Sequence, residues 1–210
     1  MADKELSWKF AEDLVVESEA IQAARAVSIE HGVDPVSPSQ GAQIAVLAAA
    51  TNAKAVIEIG TGFGVSALWI FTGAPDATLT SIDSEIEYQQ AAKRALADFG
   101  VPANRARLIV GRAREVLPRM NESSYDLVLV DADPGSVIEY VEHALRLVRV
   151  GGTVIVPHAL WRGRVADPAQ RDDTVADFRT LLGEISRSSA VLSALSLAGD
   201  GLLQLTRVAV

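Results

Sequence analysis

Val56–Gly64, VIEIGTGFG, decides how the rest of the chain is read. Val56, Ile57 and Ile59 are β-branched and apolar, as a strand buried on both faces requires. Gly60, Gly62 and Gly64 then let the backbone bend and approach a ligand where a Cβ would intrude. A helix-like run begins at Val65, so its first N–H groups are expected to point into the same crevice. After a further strand, LTSID, an acid appears at Asp83, at about the 20-residue spacing where a ribose-binding carboxylate stands in nucleoside-binding α/β units. The stretch therefore indicates a nucleoside-containing ligand. A glycine fingerprint alone has little specificity, and a dinucleotide-binding dehydrogenase is the alternative, although Val65 stands where that fingerprint wants its third glycine.

Outward from this stretch, strand and helix signals alternate. Strands are expected at Thr78–Ile82, Ala106–Val110, Tyr125–Val130 and Thr153–Val156. Helices are expected at Ser66–Phe71, Ile86–Phe99, Arg112–Leu117 and Ser136–Val148, the last leaving through a Gly151–Gly152 turn. This is the pattern of a doubly wound, mostly parallel α/β sheet covered on both faces. Right-handed crossovers would bring Gly60–Gly64, Asp83, Gly111–Arg112, Asp131–Asp133 and Pro157–His158 to one edge. Upstream, Leu6–His31 reads as an amphipathic helical region with a break, and Ser39 as the cap of a helix running to Thr51. Downstream, His158–Asp173 reads as a long polar loop and Thr174–Ile185 as a helix. Asp200–Gly201 signals a hairpin between Ala190–Ser196 and Leu202–Val208.

The 210 residues suit one domain, with residues 1–36 as a helical extension, and 49% apolar residues suffice for a substantial core. Absence of cysteine excludes disulfides, a thiol nucleophile and thiolate metal sites. A net charge of -8 argues against nonspecific nucleic-acid binding. The charged opening MADKELSWKF has no signal-peptide core, and no apolar run is long enough to span a membrane, so a soluble cytoplasmic protein is expected.

Taken in order, SPSQG, VIEIGTGFGVSALW, LTSID, GRAREVLP, YDLVLVDAD, RVGGTVIVPHALWRGRVADP and GDGLLQL resemble the small cation-dependent O-methyltransferases, the class that includes catechol and caffeoyl-coenzyme A methyltransferases, in its bacterial branch. The resemblance runs from about Ser37 to Arg207. It implies a Rossmann-like class I methyltransferase fold, a seven-stranded sheet with an antiparallel C-terminal strand. It also implies a homodimer, S-adenosylmethionine as cofactor and a small hydroxylated acceptor. Carried over by position, Glu58, Gly60, Gly62 and Gly64 would line the methionine and ribose part of the cofactor and Ser66 would lie near its carboxylate. Asp83 would take the ribose hydroxyls, Gly111, Arg112 and Ala113 would border the adenine, and Asp131 would sit at the transfer centre.

The departures fall on the reaction centre. A magnesium or manganese ion would hold the acceptor oxygens in the family mechanism, with Asp131 as its first ligand. The Asp-Asn pair expected to complete that site is Pro157-His158 here, and the expected lysine is Pro134. Only Asp131 and His158 remain as metal ligands, which leaves the cation requirement open. Three readings of His158 stand: a general base, a replacement ligand, or a loop residue. Asp133 either orients a loop as a strand-end carboxylate or contributes to a rearranged site. Trp161 is either an acceptor wall or a loop anchor. Arg162 and Arg164 either attract an anionic acceptor or pair with nearby aspartates, and Trp8 and Phe10 belong to a lid or a dimer contact. His31 and His143 are expected away from the functional edge. The nonenzymatic alternative is a cofactor-binding regulatory or structural dimer that has lost methyl transfer.

Overall fold

A computed structural model describes residues 2–209, with side chains from residue 5 onward. Seven strands form one sheet: β1 (Ala55–Ile59), β2 (Thr78–Asp83), β3 (Ala106–Val110), β4 (Tyr125–Val130), β5 (Val148–Val156), β6 (Val191–Ser196) and β7 (Leu202–Arg207). Their spatial order is β3-β2-β1-β4-β5-β7-β6. β1 to β5 pair in parallel, and β7 runs antiparallel to both of its neighbours. This is the seven-stranded sheet expected from the sequence, of the class I methyltransferase type.

Alternation along the strands divides the interior into two layers. Ile57, Ile59, Val128, Val130 and Val154 face one side with Tyr140, Val141 and Phe178. Val56, Leu79, Leu127, Leu129 and Ile155 face the other with Ile44, Leu68 and Leu96. Helices α1 (Ala2–Asp13), α2 (Glu19–Glu30), α3 (Pro38–Ala50), α4 (Val65–Gly73), α5 (Ile86–Asp98), the short α6 (Ala113–Val116), α7 (Val137–Leu147) and α8 (Asp173–Ile185) complete the fold. The expected break in the N-terminal helical region falls between α1 and α2.

Two local expectations are corrected. Ser37, not Ser39, caps α3: Ser37 Oγ accepts from Gln40 N at 3.3 Å, and Gln40 Oε1 accepts from Ser37 N at 2.9 Å. This reciprocal capping box satisfies two otherwise orphaned donors. Ser39 instead donates its backbone N–H and hydroxyl to Glu12 of α1. Second, Gly151–Gly152 does not form an exit turn before the strand. The strand resumes at Val148, directly after α7, and the glycines lie inside it where the β4–β5 register shifts. Gly151 has φ 77°, and a Cβ on Gly152 would lie 2.9 Å from the carbonyl oxygen of Asp126, so both are bulge positions.

The strand order reverses between β1 and β4, and a crevice opens beyond the carboxyl ends of the strands at such a switch point. Here the two strand ends touch. Gly60, just past β1, has φ 93°, and a Cβ there would lie 1.9 Å from the backbone oxygen of Asp131, just past β4. Both conformation and space demand glycine. Gly60→Ala is expected to cost several kcal/mol, roughly the range of a severe steric substitution, read as a drop in thermal unfolding temperature. A change within experimental error would show that the contact is not constraining.

Candidate active site

Three cavities meet at the β1–β4 crevice. The main one, about 500 Å³, is lined by Gly60 and Gly62 after β1, Asp83 and Tyr88, Gly111–Ala113 after β3, and Asp131 and Tyr140. A side cavity of about 70 Å³ is walled by Asp34, Thr61, Phe63, Ser66 and again Asp131. A third, about 20 Å³, lies between Asp131, Pro134, Tyr140, Pro157, His158, Trp161 and Phe178. Asp131 borders all three.

Glycine-turn N–H groups and the β2 acid are locked together. Asp83 Oδ2 accepts from Thr61 N at 2.9 Å and Gly62 N at 3.0 Å, while Oδ1 accepts from Glu85 N at 3.0 Å. A carboxylate has about four lone-pair sites, so Asp83 retains capacity for hydroxyl donors in the cavity. Phe63, at the apex of the turn, packs between Tyr88 and His31, with centroid distances of 4.8 Å to each. His31, though exposed, therefore reaches the glycine turn, which its position before the core did not suggest.

Glu58 and Gly64 lie outside the cavity walls. Glu58 is fully buried beneath the turn, with Ser66 Oγ at 2.6 Å and Ser81 Oγ at 2.5 Å; Ser81 meets Thr61 Oγ1 at 2.5 Å, and Gln89 Nε2 donates to Thr61 at 2.8 Å. Burial pushes the Glu58 carboxyl up to about 8, against the lowering effect of the two serine hydroxyls. Glu58 reaches the side cavity through Ser66. Gly64, at φ 91°, starts α4 and packs 3.2 Å from Ala92 when a Cβ is placed on it.

The third cavity holds the altered residues. His158 Nδ1 lies 2.7 Å from Asp200 Oδ1, and its Nε2 lies 3.9 Å from Asp131 Oδ1. The second distance is too long for a hydrogen bond, and Nε2 is buried without a partner. Burial opposes charge on the ring, but the carboxylates of Asp131, Asp200 and Asp34 outweigh it and raise its pKa to about 9. At neutral pH His158 therefore carries its proton, contrary to the behaviour of a free general base. Burial pushes Asp131 up, with His158 opposing; the same burial effect on Asp200 is overcome by the His158 hydrogen bond and charge, which hold it low.

The surrounding loop resolves several alternatives. Asp133 accepts from Gly135 N at 3.3 Å and Ser136 Oγ at 2.9 Å, so it does orient the loop into α7. Trp161 both borders the small cavity and stacks on Phe178 at 5.8 Å. Arg162 pairs with Asp34 at 2.8 Å and Arg164 with Asp172 at 2.7 Å, both pairs open to solvent. Trp8 donates to Gly199 O at 3.1 Å. Asp34, Tyr88, Tyr140 and Asp200 were not foreseen as site residues. Asp200 carries only a turn signal in the sequence, because its partner is 42 residues away.

The main cavity and its polar wall suit a nucleoside: its volume is within the roughly 300–1,000 Å³ of small-ligand sites. The side cavity offers room and polar groups for a short tail. A hard-cation site fits less well. Pro157 brings no donor side chain, His158 Nδ1 is committed to Asp200, and among the described residues no group of three or more His, Cys, Asp or Glu side chains is placed to hold a metal ion. No helix among them is long and apolar enough to cross a membrane.

The sheet order and the Gly60–Asp83 crevice define a nucleoside-binding enzyme of the class I methyltransferase architecture. The chain belongs to the O-methyltransferase family, whose model matches residues 12–208. A protein of Mycobacteroides abscessus, an O-methyltransferase by name alone, is 41% identical over 201 residues, covering 94% of this chain and 92% of the relative. Among solved structures, the O-methyltransferase TomG of Streptomyces achromogenes, in complex with S-adenosylmethionine, is 31% identical with TM-score 0.83, covering 96% of this chain and 95% of that one. A protein of Corynebacterium glutamicum is 27% identical with TM-score 0.89, covering 100% and 99%.

Glu58 yields a stability prediction. Its folded pKa lies above its unfolded value of 4.5, so the stability it permits is complete below pH 4.5 and is lost as pH rises through about 8. Glu58→Gln should flatten the fall in unfolding temperature between pH 5 and 8, an effect on the order of a few kcal/mol. Parallel curves for the two proteins would contradict this.

Proposed function

We propose that the chain is an S-adenosylmethionine-dependent O-methyltransferase for a small, uncharged hydroxylated acceptor, with no requirement for a divalent metal. The observation that carries this reading is the convergence of three cavities on Asp131: one suited to the adenosine, one to the amino-acid tail, and a small one beside His158 that marks where the acceptor oxygen would come. Asp83 would hold the ribose hydroxyls, Gly111, Arg112 and Ala113 would border the adenine, and Thr61 and Ser66 would border the tail. Bound S-adenosylmethionine supplies a methyl group made electrophilic by its sulfonium.

The chain's own part is to present and ionise the acceptor oxygen. His158 Nε2 and Asp131 Oδ1 lie 3.9 Å apart, so one oxygen set beside the pair is within hydrogen-bond reach of both once the loop opens a place for it at the buried Nε2. A hydroxyl there accepts from Nε2–H and donates to the carboxylate. Burial makes Asp131 a stronger proton acceptor than an exposed aspartate. The imidazolium meanwhile supplies, at a fixed point, the positive charge that favours an ionised oxygen, the role a cation plays in the resembled class. One positioned oxygen suffices, so an adjacent second hydroxyl is not needed. Asp34, Asp131 and Asp200 all bring negative charge to the neighbourhood of His158, which disfavours anionic acceptors. The acceptor cavity holds about 20 Å³, so a ring enters only if the Trp161 loop shifts.

The test is methyl transfer from S-adenosylmethionine to a panel of single phenols and catechols, with magnesium or with chelator. Single phenols should be methylated at the same rate in both. His158→Gln should lower kcat about 10²–10³-fold, as loss of a charge-stabilising donor does. Its affinity for S-adenosylmethionine should stay within about 3-fold, a difference under 1 kcal/mol. Unchanged kcat at saturating acceptor would remove His158 from the mechanism. Tight cofactor binding without product across the panel would favour the nonenzymatic reading, and abolition by chelator would restore the metal.

A further inference from the structure

We propose that Asp200, in the turn of the β6–β7 hairpin, is a positioning residue for the transfer centre: it fixes the His158 ring through Nδ1 and holds the backbone of the loop that carries it. The proposal rests on the role given to His158 above and adds a residue that lies outside the walls of all three cavities.

The loop is the most strained segment near the site. His158, Trp161 and Arg162 have φ of 56°, 45° and 56°, left-handed values for non-glycine residues. Each costs on the order of 1 kcal/mol or more and persists only where surrounding contacts impose it. Asp200 makes many of those contacts. Its Oδ1 takes His158 Nδ1 at 2.7 Å, its Oδ2 accepts from Arg162 N at 3.1 Å, and its backbone oxygen accepts from Leu160 N at 2.9 Å. Gly201 O accepts from Ala159 N at 3.0 Å. One turn thus grips four of the five residues from His158 to Arg162. With Nδ1 committed, the ring has one free nitrogen, and that nitrogen faces Asp131 across the acceptor position. A carboxylate that fixes one imidazole nitrogen orients the other.

The hairpin turn is itself held. Gln40 of α3 donates to Asp200 Oδ1 at 3.3 Å and to Gly201 O at 3.2 Å. Glu12 Oε1 accepts from Gly199 N at 3.1 Å, and Trp8 donates to Gly199 O at 3.1 Å. The end of the chain is thereby clamped by its beginning, and the clamp ends on His158. This explains what the edge hairpin contributes to the site.

The test is a double-mutant cycle on the full chain. Asp200→Ala should lower kcat about 10–100-fold, the usual effect of removing the partner that orients a functional histidine. KM for cofactor should be unchanged within about 2-fold. Asp200→Asn, which keeps an acceptor for Nδ1–H, should recover part of the loss and serves if the alanine variant does not fold. In His158→Gln, adding Asp200→Asn should cost nothing further, because residues acting through one another are non-additive. Proton NMR supplies an independent readout: a downfield Nδ1–H signal of His158, assigned by its loss in His158→Gln, should move upfield in Asp200→Asn. Equal kcat for wild type and both Asp200 variants, or full additivity with His158→Gln, would overturn the proposal. Silence of His158→Gln alone would instead overturn the mechanism on which it rests.

Discussion

The contact between Gly60 and the backbone of Asp131 constrains the rest of the structure. Ile82 O accepts from Gly60 N at 2.9 Å, and Ile59 O accepts from Asp131 N at 2.8 Å. Three parallel strands are thereby brought to a common end without a side chain between the glycine and the aspartate. A residue with a Cβ would push β4 away from β1. The close approach makes Asp131 a wall of all three cavities at the crevice.

In the proposed mechanism, electrostatics around that junction take the part that the resembled class assigns to a cation. Burying charges is expensive unless they are paired and hydrogen-bonded. The protein meets that condition by setting one imidazole between two carboxylates, hydrogen-bonded to Asp200 and 3.9 Å from Asp131. Glu58, on the donor side, meets it differently: its hydroxyl partners do not offset burial, and it takes up a proton at neutral pH. The folded state is most comfortable at mildly acidic pH on this account, since both Glu58 and His158 favour protonation in the fold.

Much of this was legible in the chain. VIEIGTGFG and LTSID announce the crevice because local periodicity, glycine spacing and a terminal acid are all short-range signals. The same holds for the strands and for the Asp200–Gly201 turn. What escaped depends on longer range or on neighbours. Ser37 and Ser39 are equally good caps in sequence; Gln40 selects the first and Glu12 engages the second. Gly151–Gly152 looks like a turn until β4 is laid alongside, when the close approach of Asp126 makes it a bulge. The substitution of His158 marks the reaction centre as altered, but its protonation could not be read without Asp131, Asp34 and Asp200, which come from three separate segments. Asp200 itself was visible only as a turn residue, because nothing local distinguishes a turn aspartate that grips a histidine from one that does not.

The bridging position between His158 and Asp131 is tested most directly by a crystal structure of the complex with demethylated cofactor and a single phenol, grown with manganese and examined for anomalous scattering. The account predicts the phenol oxygen within hydrogen-bond distance of both His158 Nε2 and Asp131 Oδ1, and no anomalous peak between them. A manganese peak coordinated by Asp131, or a phenol oxygen seated away from His158, would contradict it.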